Sequence, residues 1–195
     1  EFRRVLFRSV KAVFAGDAAV GKTCIIKRIL SNEFSETAEA TVGAANCKVE
    51  IDTGEQKVIF NIWDTAGQEK YRSLAPMYFS GASVAFLVFD LTNTETLNQI
   101  DGFVKSLQSR APEYVKIFLV GNKADLVNER QVSEEDGERY AREIDAEFYY
   151  EVSAKTGMGV NDLFMRVAMV PDLHFEDDMS SEIEAEEANS NKKCC

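Results

Sequence analysis

Eight residues, Gly16 to Thr23, read G-D-A-A-V-G-K-T and fill the pattern Gly, any four residues, Gly, Lys, Ser or Thr. A loop that wraps a polyphosphate must turn successive backbone N–H groups inward, which needs dihedrals and a close approach that glycine tolerates. Gly16 and Gly21 hold those positions, so Asp17, Ala18, Ala19, Val20, Gly21, Lys22, Thr23 and Cys24 are the expected lining of a phosphate cradle. Lys22 can reach the terminal phosphates as a point charge. The Thr23 hydroxyl can ligate Mg2+, and a helix beginning there directs its positive dipole end at the anion. The motif has the flanks that separate a phosphate loop from a chance match: the apolar run Val10 to Ala15 before it, read as a strand, and the helical run Cys24 to Leu30 after it.

Two further constellations match that chemistry. Trp63-Asp64-Thr65-Ala66-Gly67-Gln68-Glu69 follows a predicted strand, so Asp64 is placed to hold Mg2+ through water and Gly67 to present its N–H to a γ-phosphate. Farther on, Gly121-Asn122-Lys123-Ala124-Asp125 ends another strand. One carboxylate can accept from both the ring imino N–H and the exocyclic amino group of guanine, whereas adenine offers an acceptor at the first of those places. Asp125 therefore selects guanine, Asn122 fixes the ring and the Lys123 stem lies over its face. Ser153-Ala154-Lys155, after the last predicted strand, adds a backbone N–H to the guanine oxygen.

The elements that must position these residues alternate. The Val10 to Ala15 strand and its helix are followed by a polar stretch, Ser31 to Val42, read as a loop. Lys48 to Asp52 and Lys57 to Trp63 alternate apolar residues around Thr53-Gly54-Glu55, which reads as an antiparallel hairpin. Ser83 to Asp90 and Ile117 to Val120 are near-continuous apolar runs of the kind that fill strands covered on both faces. Between them Leu97, Ile100, Phe103, Val104 and Leu107 recur at helical spacing. Ser133-Glu134-Glu135-Asp136 opens a helix to about Ile144, Phe148 to Val152 is the last strand and Gly159 to Val170 the last helix. The pattern predicts an α/β fold: a doubly wound, mainly parallel six-stranded sheet with one antiparallel hairpin strand, holding its ligand at the carboxyl ends of the strands.

Composition narrows the function classes. The chain has 195 residues and a net charge of −11. From Asp172 onward there are eight acids and two lysines, leaving 25 acids against 20 bases in the body, with no basic stripe for nucleic acid. No apolar run approaches the ~20 residues that span a bilayer. The one histidine, His174, gives His-based nucleophilic catalysis nothing to work with, and the four cysteines lack metal or disulfide spacing and fit a reducing compartment. Residues 1–9 have no assignable pattern and are set aside as an extension, with Glu-Phe treated as a cloning or assembly scar. Residues 10–170 form the expected folded domain. Residues 171–195 are expected to be an acidic, disordered tail ending in Cys194-Cys195.

Taken together, the phosphate loop, Thr41, D-T-A-G-Q, N-K-x-D and S-A-K resemble the Ras superfamily of small GTPases over roughly Val10 to Val170. Within it, W-D-T-A-G-Q-E and the terminal cysteine pair resemble the Rab branch, and Gly43-Ala44-Ala45 with Ala75-Pro76-Met77-Tyr78 leans toward the early-endosome subgroup. The resemblance implies the small-GTPase P-loop fold and a slow GTP hydrolase that switches between GTP and GDP with Mg2+. It implies that Thr41 contacts Mg2+ and γ-phosphate, that Phe34 flanks the guanine opposite Lys123, and that Gln68 orients the attacking water. It further implies prenylation of Cys194 and Cys195, effectors, an exchange factor and a GTPase-activating protein as partners, a monomeric domain, and the cytoplasmic face of an intracellular, endosomal membrane. Ala18 stands where Ras has a glycine. Asn46 stands where Rabs usually carry an aromatic that forms an effector-binding surface with Trp63 and Tyr78. Two rivals differ in kind: a P-loop nucleotide kinase, against which Asp125 and Ala154 argue, and a GTP-locked module without hydrolysis, against which Gln68 argues.

Overall fold

Every residue of the strand Val84–Asp90 is buried, as a central strand covered on both faces requires. The computed structural model describes residues 6–35, 44–65 and 75–176. In chain order these form β1 (Leu6–Ala15), α1 (Lys22–Ser31), β2 (Ala44–Asp52), β3 (Gln56–Thr65), α2 (Ala75–Phe79), β4 (Val84–Asp90), α3 (Thr94–Asn98), α4 (Ile100–Arg110), β5 (Lys116–Asn122), α5 (Glu134–Glu143), β6 (Phe148–Glu151) and α6 (Val160–Ala168). The strands form one sheet in the order β2-β3-β1-β4-β5-β6, parallel throughout except where β2 and β3 pair as a hairpin. The chain leaves β1 toward one edge and returns to β4 on its other side. The ends of β1 and β4 therefore border the crevice where such sheets bind ligands.

Strand alternation sends side chains to two cores. On one face Val10, Ala12 and Phe14 of β1 and Val84, Phe86 and Val88 of β4 meet α1 and α6. On the other, Val13, Ala15, Ala85, Leu87 and Phe89 meet α4 and its neighbours. The first core centres on aromatic rings: Phe14 and Phe86 stack at 4.5 Å, Phe86 lies 5.3 Å from Phe164 of α6, and Phe60 meets Phe164 edge-on at 5.5 Å. Such offset and edge-on pairs add directional preference to burial, so α6 has one favoured seat on the sheet.

The structure differs from the sequence reading at several points, among them β2, which starts at Ala44 rather than Lys48. First, β1 starts at Leu6 rather than Val10, because the ten-residue β3 offers pairing partners from Leu6↔Gln56 onward. Second, the single helical pattern through Leu97 and Leu107 is two helices that share Gln99 as a cap. Asn93 begins the first by accepting from the Glu95 N–H at 3.1 Å. The short helix α2 had no periodic signal at five residues.

Third, residues 171–176, read as the start of a disordered tail, pack on the domain. Leu173 is buried, Phe175 joins the first core, and the Glu176 N–H donates to Ser9 O at 2.7 Å while its carboxylate accepts from Asn61 Nδ2 at 2.7 Å. The physical reason is a free edge. Pairing of β1 with β4 begins at Ala12, with Lys11 O accepting from the Ser83 N–H just before β4, so among the described residues Glu176 is what pairs with β1 on that side before Lys11. Remaining tail positions, including Cys194 and Cys195, lie outside the described residues.

Phe164→Ala removes the ring shared by Phe14, Phe60 and Phe86, and urea unfolding at saturating nucleotide is expected to show a loss of about 3 to 5 kcal/mol. Met165→Ala, on the exposed side of the same helix, should change stability by less than about 1 kcal/mol.

Candidate nucleotide-binding site

The loop between β1 and α1 takes its shape from backbone conformations that few residues adopt. Gly16 has φ 147° and Gly21 φ 97°, with Ala19 also left-handed at φ 59°. Space forbids a side chain at either glycine: a Cβ on Gly16 would meet Val88 O at 2.1 Å, and one on Gly21 would meet Asn122 Nδ2 at 2.2 Å. The loop closes around Lys22, whose Nζ donates to Gly16 O at 2.9 Å and Asp17 O at 2.7 Å. Val20 is buried beneath the loop, while Ala18 and Ala19 face outward, with the Ala18 N–H donating to Asp17 Oδ1 at 2.8 Å. Gly21 caps α1 without a side chain, and the helix has no acid in its first turn. Its leading N–H groups and dipole are thus left to an anion.

Lys22 and Asp64 are both buried, and each supports the other's charge against the desolvation of burial. Burial pulls the Lys22 ammonium down to about 8 against the attraction of Asp64 and Asp17. Burial likewise raises the Asp64 carboxyl, opposed by a hydrogen bond from Thr23 and by Lys22. Thr23 Oγ1 donates to Asp64 Oδ2 at 2.5 Å, and Asp64 Oδ1 is buried without a hydrogen-bond partner among the described residues. An orphaned carboxylate oxygen beside a hydroxyl and a lysine fits Mg2+, a hard cation that takes few protein ligands and keeps waters and phosphate oxygens. Among the described residues no group of three or more His, Cys, Asp or Glu forms an all-protein metal cage, so the phosphates of the nucleotide would complete such a shell. Cys24, next along α1, is half-buried and its thiol is pushed up by burial, which keeps it protonated.

The base side lies at the ends of β5 and β6. Asn122, buried, donates from Nδ2 to Val20 O at 2.8 Å and accepts from the Ala154 N–H at 3.1 Å, joining three loops. Lys123 sits in the left-handed region at φ 69°, and its Nζ pairs with Asp90 Oδ2 at 2.6 Å. Asp125 accepts from Ser153 Oγ at 2.6 Å. Phe34, half-buried, packs at the rim of the first core just beyond the end of α1, and Lys155 is exposed in the loop after β6.

The structure thus brings together Gly16 to Cys24, Asp64, Asn122, Lys123, Asp125 and Ser153 to Lys155. Thr41, Gly67 and Gln68 lie outside the described residues. Sequence reasoning missed two residues that hold the site. Asp90, buried at the end of β4, anchors Lys123, and Arg28 on α1 reaches the loop after β6. Neither lies in a motif, and their partners are remote in the chain, so no local signal marks them.

A Gly-rich loop closed on Lys22, the Thr23–Asp64 pair and the Asn122, Asp125 and Ser153 cluster, gathered at the carboxyl ends of a parallel sheet, have the geometry expected of a P-loop nucleotide-binding protein. Residues 11–170 match the Ras family, and the chain belongs to that family. It is accordingly a small GTPase switch: it binds guanine nucleotide, typically with Mg2+, hydrolyses GTP, and works through regulators and effectors.

Asp125→Asn replaces an acceptor by a donor at one guanine contact and leaves a group unpaired, an expected loss of roughly 1 to 3 kcal/mol in GDP binding. Competition of GDP with ADP and XDP checks this: the variant should lose the wild-type preference for GDP, and retention of that ratio would place the base elsewhere.

Proposed function

We propose that this small GTPase is a Rab-type switch of vesicle or endosomal membrane traffic, held on the cytoplasmic face of an intracellular membrane by prenylated Cys194 and Cys195. The observation that carries this reading is a partner surface one residue from Asp64. Trp63 and Tyr78 have ring centroids 5.5 Å apart, and Asn46, exposed on the edge strand β2, stands directly across from Trp63. Because Trp63 leads straight into Asp64, a partner gripping this surface touches the segment that senses the terminal phosphate. Buried aromatics dominate interface energies, so Asn46 in place of a third ring weakens or redirects effector binding without touching the nucleotide site.

Within the switch, Lys22 and the N–H groups at the start of α1 bind phosphate, Thr23 and Asp64 hold Mg2+, and Gln68 orients the attacking water. The metal supplies neutralisation of charge developing on the transferred phosphate. The chain has no evident arginine finger, so a partner supplies one. Two lipids are required of the tail because a single chain binds membranes marginally and Lys192 and Lys193 are its only cations from Asp172 onward, set after a run of acids that an anionic leaflet repels.

Two measurements test the reading. Multiple-turnover GTP hydrolysis by the isolated protein should run far below ~1 s-1 and fall further in Gln68→Leu, and a faster rate would mean that the chain completes its own catalytic set. Intact mass of protein from its native cells should show two prenyl groups. The double variant Cys194→Ser, Cys195→Ser should move to the soluble fraction, and its retention on membranes would refute lipid anchoring.

A further inference from the structure

Arg28 lies on α1, midway between the phosphate loop at its start and Phe34 beyond its end. Its guanidinium crosses to the loop after β6, where Nε donates to Ala154 O at 2.9 Å and Nη2 to Lys155 O at 2.6 Å. The remaining nitrogen, Nη1, donates to Asn32 O at 2.6 Å and Asn32 Oδ1 at 3.1 Å. These four acceptors are neutral oxygens, so geometry rather than ion pairing makes the contact, and a planar fork with fixed donors suits it as an ammonium does not. Asn32 is itself the left-handed cap of α1, with its N–H donating back to Arg28 O. The guanidinium is therefore braced at the helix end while it holds the loop.

The consequence follows from the planarity of the peptide bond. In a trans peptide the carbonyl of one residue and the N–H of the next point in opposite directions. Fixing Ala154 O toward α1 directs the Lys155 N–H away from α1, and fixing Lys155 O does the same for the Thr156 N–H, which donates to Ser153 Oγ at 3.1 Å. Ser153 Oγ in turn donates to Asp125, and the Ala154 N–H meets Asn122. Arg28 thus grips one side of this loop, and the base-pocket residues grip the other.

We propose that Arg28 is a positioning residue for the nucleobase: by holding the Ala154 and Lys155 carbonyls it fixes the plane of the peptide between them, aims the Lys155 N–H at the 6-oxygen of guanine and so slows nucleotide release. The proposal rests on the guanine pocket described above. It gives α1 two tasks, phosphate binding at its first turn and alignment of the base loop from its last.

The test compares GDP with the diphosphate of 2-aminopurine riboside, which lacks the 6-oxygen, in wild type, Arg28→Gln and Arg28→Lys. Dissociation is followed with fluorescently labelled GDP and equilibrium affinity by competition. For GDP, Arg28→Gln is expected to raise the release rate and weaken affinity by about tenfold, with Arg28→Lys within twofold of it because a single ammonium lacks the fixed planar fork that holds both loop carbonyls while braced on Asn32. Affinity for the analogue should stay within twofold of wild type. Equal losses for both ligands, no loss for GDP, or full rescue by Arg28→Lys would each overturn the proposal. A wild-type protein that did not prefer GDP to the analogue would instead overturn the pocket assignment, and the proposal with it. Single-turnover hydrolysis of preloaded GTP should be unchanged, and a tenfold fall would place the action of Arg28 at the phosphate end.

Discussion

The side chain of Asn122 is the joint on which the nucleotide site depends. It spans from the carbonyl of Val20 in the phosphate loop to the N–H of Ala154 after β6, and it is buried while doing so. Losing either contact would leave a buried amide group unpaired, a cost of roughly 1 to 3 kcal/mol, so the two loops hold one relative position. The same amide explains Gly21, since a Cβ there would lie 2.2 Å from Asn122 Nδ2. A requirement first stated as conformational freedom is also a requirement for space.

At the phosphate end the chain carries an electrostatic mismatch. Lys22 is pulled toward neutrality and Asp64 toward protonation, each by burial, while Asp64 Oδ1 has no partner among the described residues. Magnesium and phosphate would resolve both, because a cation would satisfy the carboxylate and an anion the ammonium and the uncapped start of α1. The unpartnered carboxylate oxygen and the uncapped helix start thus fit an anion bound together with its counter-ion. Cys24, one residue on, is kept a protonated thiol by burial and contributes packing.

Away from the nucleotide, the sheet supports two surfaces of different character. Trp63 of β3 meets Tyr78 of α2, with Asn46 exposed across from Trp63 on β2 and Met77 exposed on α2, a mixture that suits a partner which engages and leaves. On the far end of β1 the chain beyond α6 turns back, buries Leu173, places Phe175 under Arg8 at 4.7 Å and pairs Glu176 with Ser9.

Much of this was legible without coordinates because its signals are local. Dihedral demands place glycine at residues 16 and 21, continuous apolar runs mark β4 and β5 as covered on both faces, and Ser133 with Asp136 marks the start of α5, where the hydroxyl accepts from the Asp136 N–H at 3.1 Å. The expected roles of Asp64, Asn122 and Asp125 came from residue chemistry, and family pattern added those of Thr41, Phe34 and Gln68 as expectations. Three things lay beyond its reach. The tail read by composition as disordered contains Leu173 and Phe175 two residues apart among acids, and a free edge on β1 exists only once β4 is known to pair no earlier than Ala12. Asp90 meets Lys123 because β4 and β5 lie side by side, Asp90 opposite Asn122. Arg28 meets Ala154, 126 positions away, because α1 and α6 share one face of the sheet. Residue type and spacing determine what a segment can do with a phosphate or a base; which distant side chain holds that segment still depends on strand order, which no local pattern encodes.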